Sequence, residues 1–209
     1  MTISVTYNSV YGDISVKDVL SEWSTGFRTA DHGTVNTGGF NTGGRAMTGE
    51  QYATQGANGS KYAFVAESNT DNGLNYVFNP KLSAGDNMNH YLWGNLDNVQ
   101  LGEVLGGGKG SDFTLGDYTA SFNGLDLSAA SDAGRAGNAV QDVIYGLMKG
   151  DVSGLEGVLN NLLSGFGLST DSTFDQLAAA GLAHADAPLA ADISLVGVLD
   201  VAQDWALAA

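Results

Sequence analysis

A block of strands followed by a block of helices predicts an α+β fold, an antiparallel β-sheet with helices packed on one face. Three observations carry this. Between Gln51 and Leu127, short runs rich in aromatic and branched residues alternate with Gly, Asn and Asp turns. From Ala139 onward, apolar residues recur instead at helical spacing, with capping residues before each run. Thirty glycines, two prolines and no cysteine describe a chain of tight turns without a disulfide framework.

Taken in order, Thr2–Tyr7 alternates as a strand. Ser15 caps a helix with Asp18 at the capping-box position, and Val16, Val19, Leu20, Trp23 and Phe27 form its apolar face. Arg28 to Gly49 has no period; a loop of that length inside a compact domain is unusual unless it has a function. Strands are then expected at Gln51–Thr54, Lys61–Glu67, Leu74–Phe78, Tyr91–Leu101, Phe113–Leu115 and Tyr118–Phe122, paired antiparallel because the connections are short. Gly107 to Thr114 nearly fits one calcium-binding nonapeptide, but a single copy cannot stack and reads as a hairpin loop. Ala139, Val140, Val143, Ile144, Leu147 and Met148 mark the next helix, stopped by Gly150. Ser153 with Glu156 opens a second, whose inward residues run from Leu155 to Phe166. Ser172 with Asp175 opens a third, Phe174 to about His184, placing His184 at a helix C-terminus. One globular domain over residues 1–187 is expected, with an apolar, acidic tail over 188–209.

The net charge of −15 repels phosphate backbones, so nucleic acid is excluded as a partner, and it favours a soluble monomer. No run is apolar and long enough to span a bilayer, and the first residues lack the pattern of a cleaved signal peptide. Absence of cysteine removes zinc–thiolate, iron–sulfur and Cys-nucleophile chemistry. There is no G-x-S-x-G, H-E-x-x-H or P-loop, so an enzyme is not expected.

Three histidines, His32, His90 and His184, make a familiar zinc site implausible. A site needing only axial donors is another matter. Haem iron takes four nitrogens from the porphyrin, and a tyrosinate suits ferric iron if a neighbouring base takes its proton. Tyr76 and His90 stand at the two edges of one predicted hairpin. They are either an ordinary hydrogen-bonded pair or a metal ligand with its tuning base. His32, on the long loop, is either a solvated surface histidine or the sixth ligand.

Beyond single residues, the chain resembles the secreted bacterial haem-acquisition proteins, the hemophores. The likeness runs through Ile3–Tyr7, Asp31-His32 with Gly38-Gly39-Phe40, Gly49–Ala53, Leu74-Asn75-Tyr76 and Leu92–Asp97. Its most specific parts are Val143–Asp151 (VIYGLMKGD) and Ser172–Ala180 (STFDQLAAA). The resemblance implies a curved antiparallel sheet with helices on one face and ferric haem b held between two loops at one end. It implies iron ligation by His32 and Tyr76, with His90 bonded to the tyrosine and Phe78, Tyr145 and Met148 lining the pocket. It also implies an extracellular carrier that takes haem from haemoglobin to an outer-membrane receptor, exported by an ABC-type machine that reads the C-terminal tail. Two positions depart from the family pattern. The loop between Tyr76 and His90 is longer than usual, and Val140-Gln141-Asp142 stands where relatives often carry a histidine. A calcium-binding or adhesion module built on Gly107–Thr114 is the alternative from another class.

Overall fold

The structure, a computed structural model, describes residues 3–30, 36, 38–43 and 46–186. Its strands are β1 (Ser4–Asn8), β2 (Gly39–Phe40), β3 (Thr48–Gly49), β4 (Gln51–Gln55), β5 (Tyr62–Glu67), β6 (Leu74–Val77), β7 (Tyr91–Gly106), β8 (Thr114–Ala129) and β9 (Ala183–Asp186). Its helices are α1 (Val16–Gly26), α2 (Ala139–Met148), α3 (Ser153–Ser164) and α4 (Phe174–Ala179).

The sheet is built on the β7–β8 hairpin. Its order is β2-β4-β5-β7-β8-β1-β9, and β6 shares the β5 side of β7 and carries β3. Asn98–Glu103 of β7 pair with β5, whereas Tyr91–Gly94 pair with β6. One strand thus serves two neighbours along its length. Register shifts at Leu96/Asn98 and Leu101/Gly102 interrupt the β7–β8 ladder, and such irregularities bend the strands that carry them.

Side-chain alternation places the core on one face. Ala66, Val99, Phe122 and Val5 are successive cross-strand partners, and so are Phe64, Leu101, Ala120 and Tyr7. All eight are buried and belong to one apolar cluster with Val19, Leu20 and Trp23 of α1 and Val143, Ile144 and Leu147 of α2. The intervening row, Val65, Gln100, Ser121 and Thr6, faces the other way and turns polar toward β1. Trp23 fixes α1 to β5 twice: its ring meets Phe64 edge-on at 6.3 Å, and Nε1 donates to the Ala63 carbonyl at 3.1 Å.

Several element details differ from expectation. The two segments expected at Phe113–Leu115 and Tyr118–Phe122 merge into one long strand, β8, which starts at Thr114, because pairing with β7 carries the chain through Gly116 and Gly124. Ser153 is the first residue of α3 rather than its cap; the Ser153 amide is capped by Asp151 Oδ1 at 3.0 Å. Helix α4 begins at Phe174 as expected, but its cap is Thr173 rather than Ser172, with Thr173 and Gln176 forming the capping box. It also ends early, at Ala179, and the chain turns at Gly181 into β9. His184 therefore lies on an edge strand, with Nε2 3.1 Å from Thr6 Oγ1, and not at a helix end. That strand runs parallel to β1, the one parallel pairing among the described residues. Phe166 is exposed past the end of α3. The tail, 188–209, lies outside the described residues.

Candidate functional site

At one end of the sheet a cavity of about 880 Å³ opens between β6, the start of β7, the turn after β2, the β7–β8 turn and α2. That is the size of a site for a small molecule or cofactor. Its walls are mainly apolar, with Phe40, Met47, Leu92, Phe113 and Met148 supplying flat or flexible surface. Among the described residues, the charged ones lining it, Lys109 and Arg135, are both cationic in a chain of strongly negative net charge.

Tyr76 and His90 meet at its wall. Tyr76 pairs with Leu92 and Val77 with Tyr91, so the β6–β7 register stops one residue short of His90. His90 then takes a left-handed backbone conformation, φ 55°, and its Nδ1 lies 2.5 Å from Tyr76 Oη. With the ring proton on Nε2, Nδ1 accepts from the phenol. Phe78 packs against the imidazole with ring centroids 5.1 Å apart; it is half exposed and not among the cavity-lining residues. Tyr145 and Met148 of α2 do line the cavity, and Lys149 Nζ sits 4.8 Å from the Tyr145 ring centroid.

The longer loop between the pair is internally ordered. Asn89, almost wholly buried, accepts from the Asn79 and His90 amides at 2.8 and 3.1 Å. Its Nδ2 donates to the Leu82 and Ser83 carbonyls at 3.2 and 3.1 Å. The extra residues therefore fold back on one buried amide and leave the ends of the strands where the ladder puts them.

A third tyrosine, Tyr52 of β4, also lines the cavity and donates to Met148 Sδ at 3.5 Å. Burial pushes the Tyr52 hydroxyl up to about 12, with a hydrogen bond from the Gly38 amide offsetting part of the rise. Burial raises Tyr76 as well, but there the positive charge of Arg135 pulls the other way. Of Tyr52 and Tyr76, Tyr76 alone has an imidazole as hydrogen-bond acceptor among the described residues.

Gln141 occupies the region where the resemblance leads one to expect a histidine. It is buried, lines the cavity, and accepts from the Leu92 amide at 2.7 Å. It thus ties α2 to β7 beside Tyr76, a role that its sequence context did not signal. Tyr52, Arg135 and Lys109 were likewise not legible as site residues, since none carries a spacing motif. His32 lies outside the described residues. The segments flanking it are held: Asn58 Nδ2 donates to the Thr29 and Ala30 carbonyls at 2.8 and 3.1 Å, and the Asn36 amide donates to Met148 O at 3.1 Å.

The family model for Heme-binding protein A (HasA) matches residues 1–209. The chain belongs to the HasA family. It is 39% identical over 195 residues to the hemophore HasA of Serratia marcescens, covering 90% of this chain and 97% of that protein. The holo hemophore HasA of Yersinia pestis superposes with a TM-score of 0.71 at 26% identity, over 90% of this chain and all of that one. An apo form of the same Yersinia protein gives 0.70 at 26% identity, with the same coverage. The α+β architecture, an open sheet with helices, is that of HasA hemophores, and haem is the family's ligand.

The Gly107–Thr114 stretch is the β7–β8 turn, closed by a hydrogen bond from the Ser111 hydroxyl to Gly108 O at 2.9 Å. Among the described residues no group of three or more His, Cys, Asp or Glu could hold a metal ion. No helix among them is long and apolar enough to cross a membrane.

Proposed function

We propose that this protein is an extracellular haem carrier whose Tyr76 and His32 ligate ferric iron and whose His90 sustains the tyrosinate. One observation carries the reading: a phenol hydrogen-bonded at 2.5 Å to an imidazole, on the wall of a large apolar cavity, in a chain of the HasA family. The residues fit the group. A flat macrocycle takes apolar surface from Phe40, Leu92 and Met148, and Tyr76 offers an anionic oxygen suited to a hard ferric ion. Haem supplies the ring nitrogens and the iron; the chain supplies axial donors and walls.

His90 Nδ1 accepts the phenol proton, so the Tyr76 oxygen can bind as phenolate at a pH well below the usual value for tyrosine, roughly 10. Phe78 covers the outer side of that imidazole and limits water around the pair. Tyr145 and Met148 contribute wall contacts from α2. A carrier needs no catalytic group, and none is assigned. Delivery to an outer-membrane receptor, uptake from haemoglobin and export through an ABC-type machine that reads residues 188–209 complete the reading, supported by family membership. The net charge of −15 supports a monomer.

Hemin added to the purified protein gives a Soret band that saturates at one equivalent. Tyr76→Phe weakens and shifts it more than His32→Ala does, because the phenolate is the charged donor. Equal binding by both variants and the parent would refute the ligand assignment.

A further inference from the structure

The long loop that separates Tyr76 from His90 is gripped from behind by the segment leading into α2. Arg135 Nε donates to the His90 carbonyl at 3.2 Å, and its Nη2 donates to the Ala84 carbonyl at 2.9 Å. The Arg135 amide donates to Asn87 O at 3.0 Å, and Asn87 Oδ1 accepts from the Arg135 and Ala136 amides at 3.1 and 2.9 Å. Gly134, φ 67°, leaves the space Asn87 fills: a Cβ there would stand 2.4 Å from Asn87 Nδ2 and 2.9 Å from Asn87 O. The same segment is fixed to β7 by Tyr91 Oη donating to Ser131 O at 2.6 Å and by Asn138 Nδ2 donating to Leu92 O at 2.8 Å.

We infer that Arg135, with Asn87 as its counterpart, is a positioning residue for the Tyr76–His90 pair. A non-glycine residue in the left-handed region has to be held there by its surroundings. At His90 the hold comes from both sides. Asn89 accepts from the His90 amide, and the Arg135 guanidinium takes the carbonyl. One planar fork spanning two carbonyls fixes the direction of the peptide after His90, which a flexible ammonium cannot do. That direction sets where Nδ1 points.

The inference rests on the proposed haem reading for its functional consequence, and two experiments separate the two. The first is hemin release to an excess of apomyoglobin from the parent, Arg135→Ala, His90→Ala and the double variant. Arg135→Ala is expected to speed release on the order of tenfold, the low end of what losing a metal ligand's own partner does, because it loosens His90 without removing it. In the His90→Ala background the same change adds much less, because only the direct effect of the Arg135 charge on Tyr76 remains. Equal acceleration in both backgrounds, or none in either, overturns the inference. If Arg135→Ala does not fold, Arg135→Lys and Asn87→Ala take its place; each is expected to give a smaller acceleration that again drops without His90. The second experiment uses the apo protein: the Nδ1 resonance of His90 moves in Arg135→Ala relative to the parent. An unchanged resonance overturns the positioning role, whereas a parent that holds no hemin overturns only the proposed function.

Discussion

Asn89 is the residue on which the long loop depends, and replacing it separates loop order from strand order. Its side chain makes four hydrogen bonds, to the Asn79 and His90 amides and to the Leu82 and Ser83 carbonyls, at 2.8–3.2 Å. Asn89→Ala removes all four at once. A net value near 1 kcal/mol each would suggest about 4 kcal/mol, but the loop is at the surface and water replaces some partners, so about 2–3 kcal/mol is expected. For a domain of this size that lowers the melting temperature by roughly 5–10 °C. The sharper assay is hydrogen exchange. The amides of Asn79 and His90 lose protection, while the β7–β8 amides of Val99 and Leu101 fall only as far as global stability does. If the melting point moves by less than a degree or so, or Asn79 and His90 exchange as in the parent, Asn89 does not organise the loop.

Four further substitutions test the frame around the site. Phe64→Ala empties a fully buried position between Trp23 and Phe27, whose rings lie 6.3 Å from it, and costs about 3–5 kcal/mol by chemical denaturation. Gly94→Ala cannot be accommodated: φ is 112°, and the new Cβ would lie 1.9 Å from the Gly73 carbonyl oxygen, so the variant loses the β6–β7 pairing and is recovered mainly as insoluble protein. Thr173→Ala removes the α4 capping box for about 1 kcal/mol, read from urea midpoints. Asp151→Asn tests a pH term: hydrogen bonds from the Ser153 hydroxyl and amide hold the Asp151 carboxyl below 3.8, so its stabilisation is complete above the ordinary value and is lost as the pH falls through the lower folded one. The variant therefore shows a shallower acid-side decline of stability than the parent, and identical declines would remove Asp151 from that account.

Much of the frame was legible because it follows from local rules. Periodicity located α1, α2 and α3 on their buried faces, and the turn residues located most strands. The Tyr76–His90 meeting is the instructive case. The β6–β7 register, not loop length, decides whether His90 reaches, since Val77 pairs with Tyr91 whatever lies between. A hairpin loop can lengthen at small entropic cost when its strands are already paired. What was not legible depends on distant partners. Ala183–Asp186 has no strand pattern and is extended only because β1 offers an edge. Arg135, Asn87 and Gln141 bond backbone groups far along the chain, and such contacts leave no spacing in the sequence.

Three tyrosines border the cavity, and the chain sets Tyr52 and Tyr76 in different surroundings. Tyr52 is buried, hydrogen-bonds a thioether and is pushed up to about 12, which keeps its proton in place at any physiological pH. Tyr76 also bears a cost of burial, but it faces an imidazole and a guanidinium. Under the proposed function this asymmetry chooses the ligand: a ferric ion presented with both oxygens takes the one whose proton already has somewhere to go. His90→Ala should therefore not transfer ligation to Tyr52. It should leave a weaker complex that still depends on Tyr76, so that His90→Ala with Tyr52→Phe retains hemin as His90→Ala does. A further large loss on adding Tyr52→Phe would mean that the hydrogen-bond acceptor is not what separates the two tyrosines.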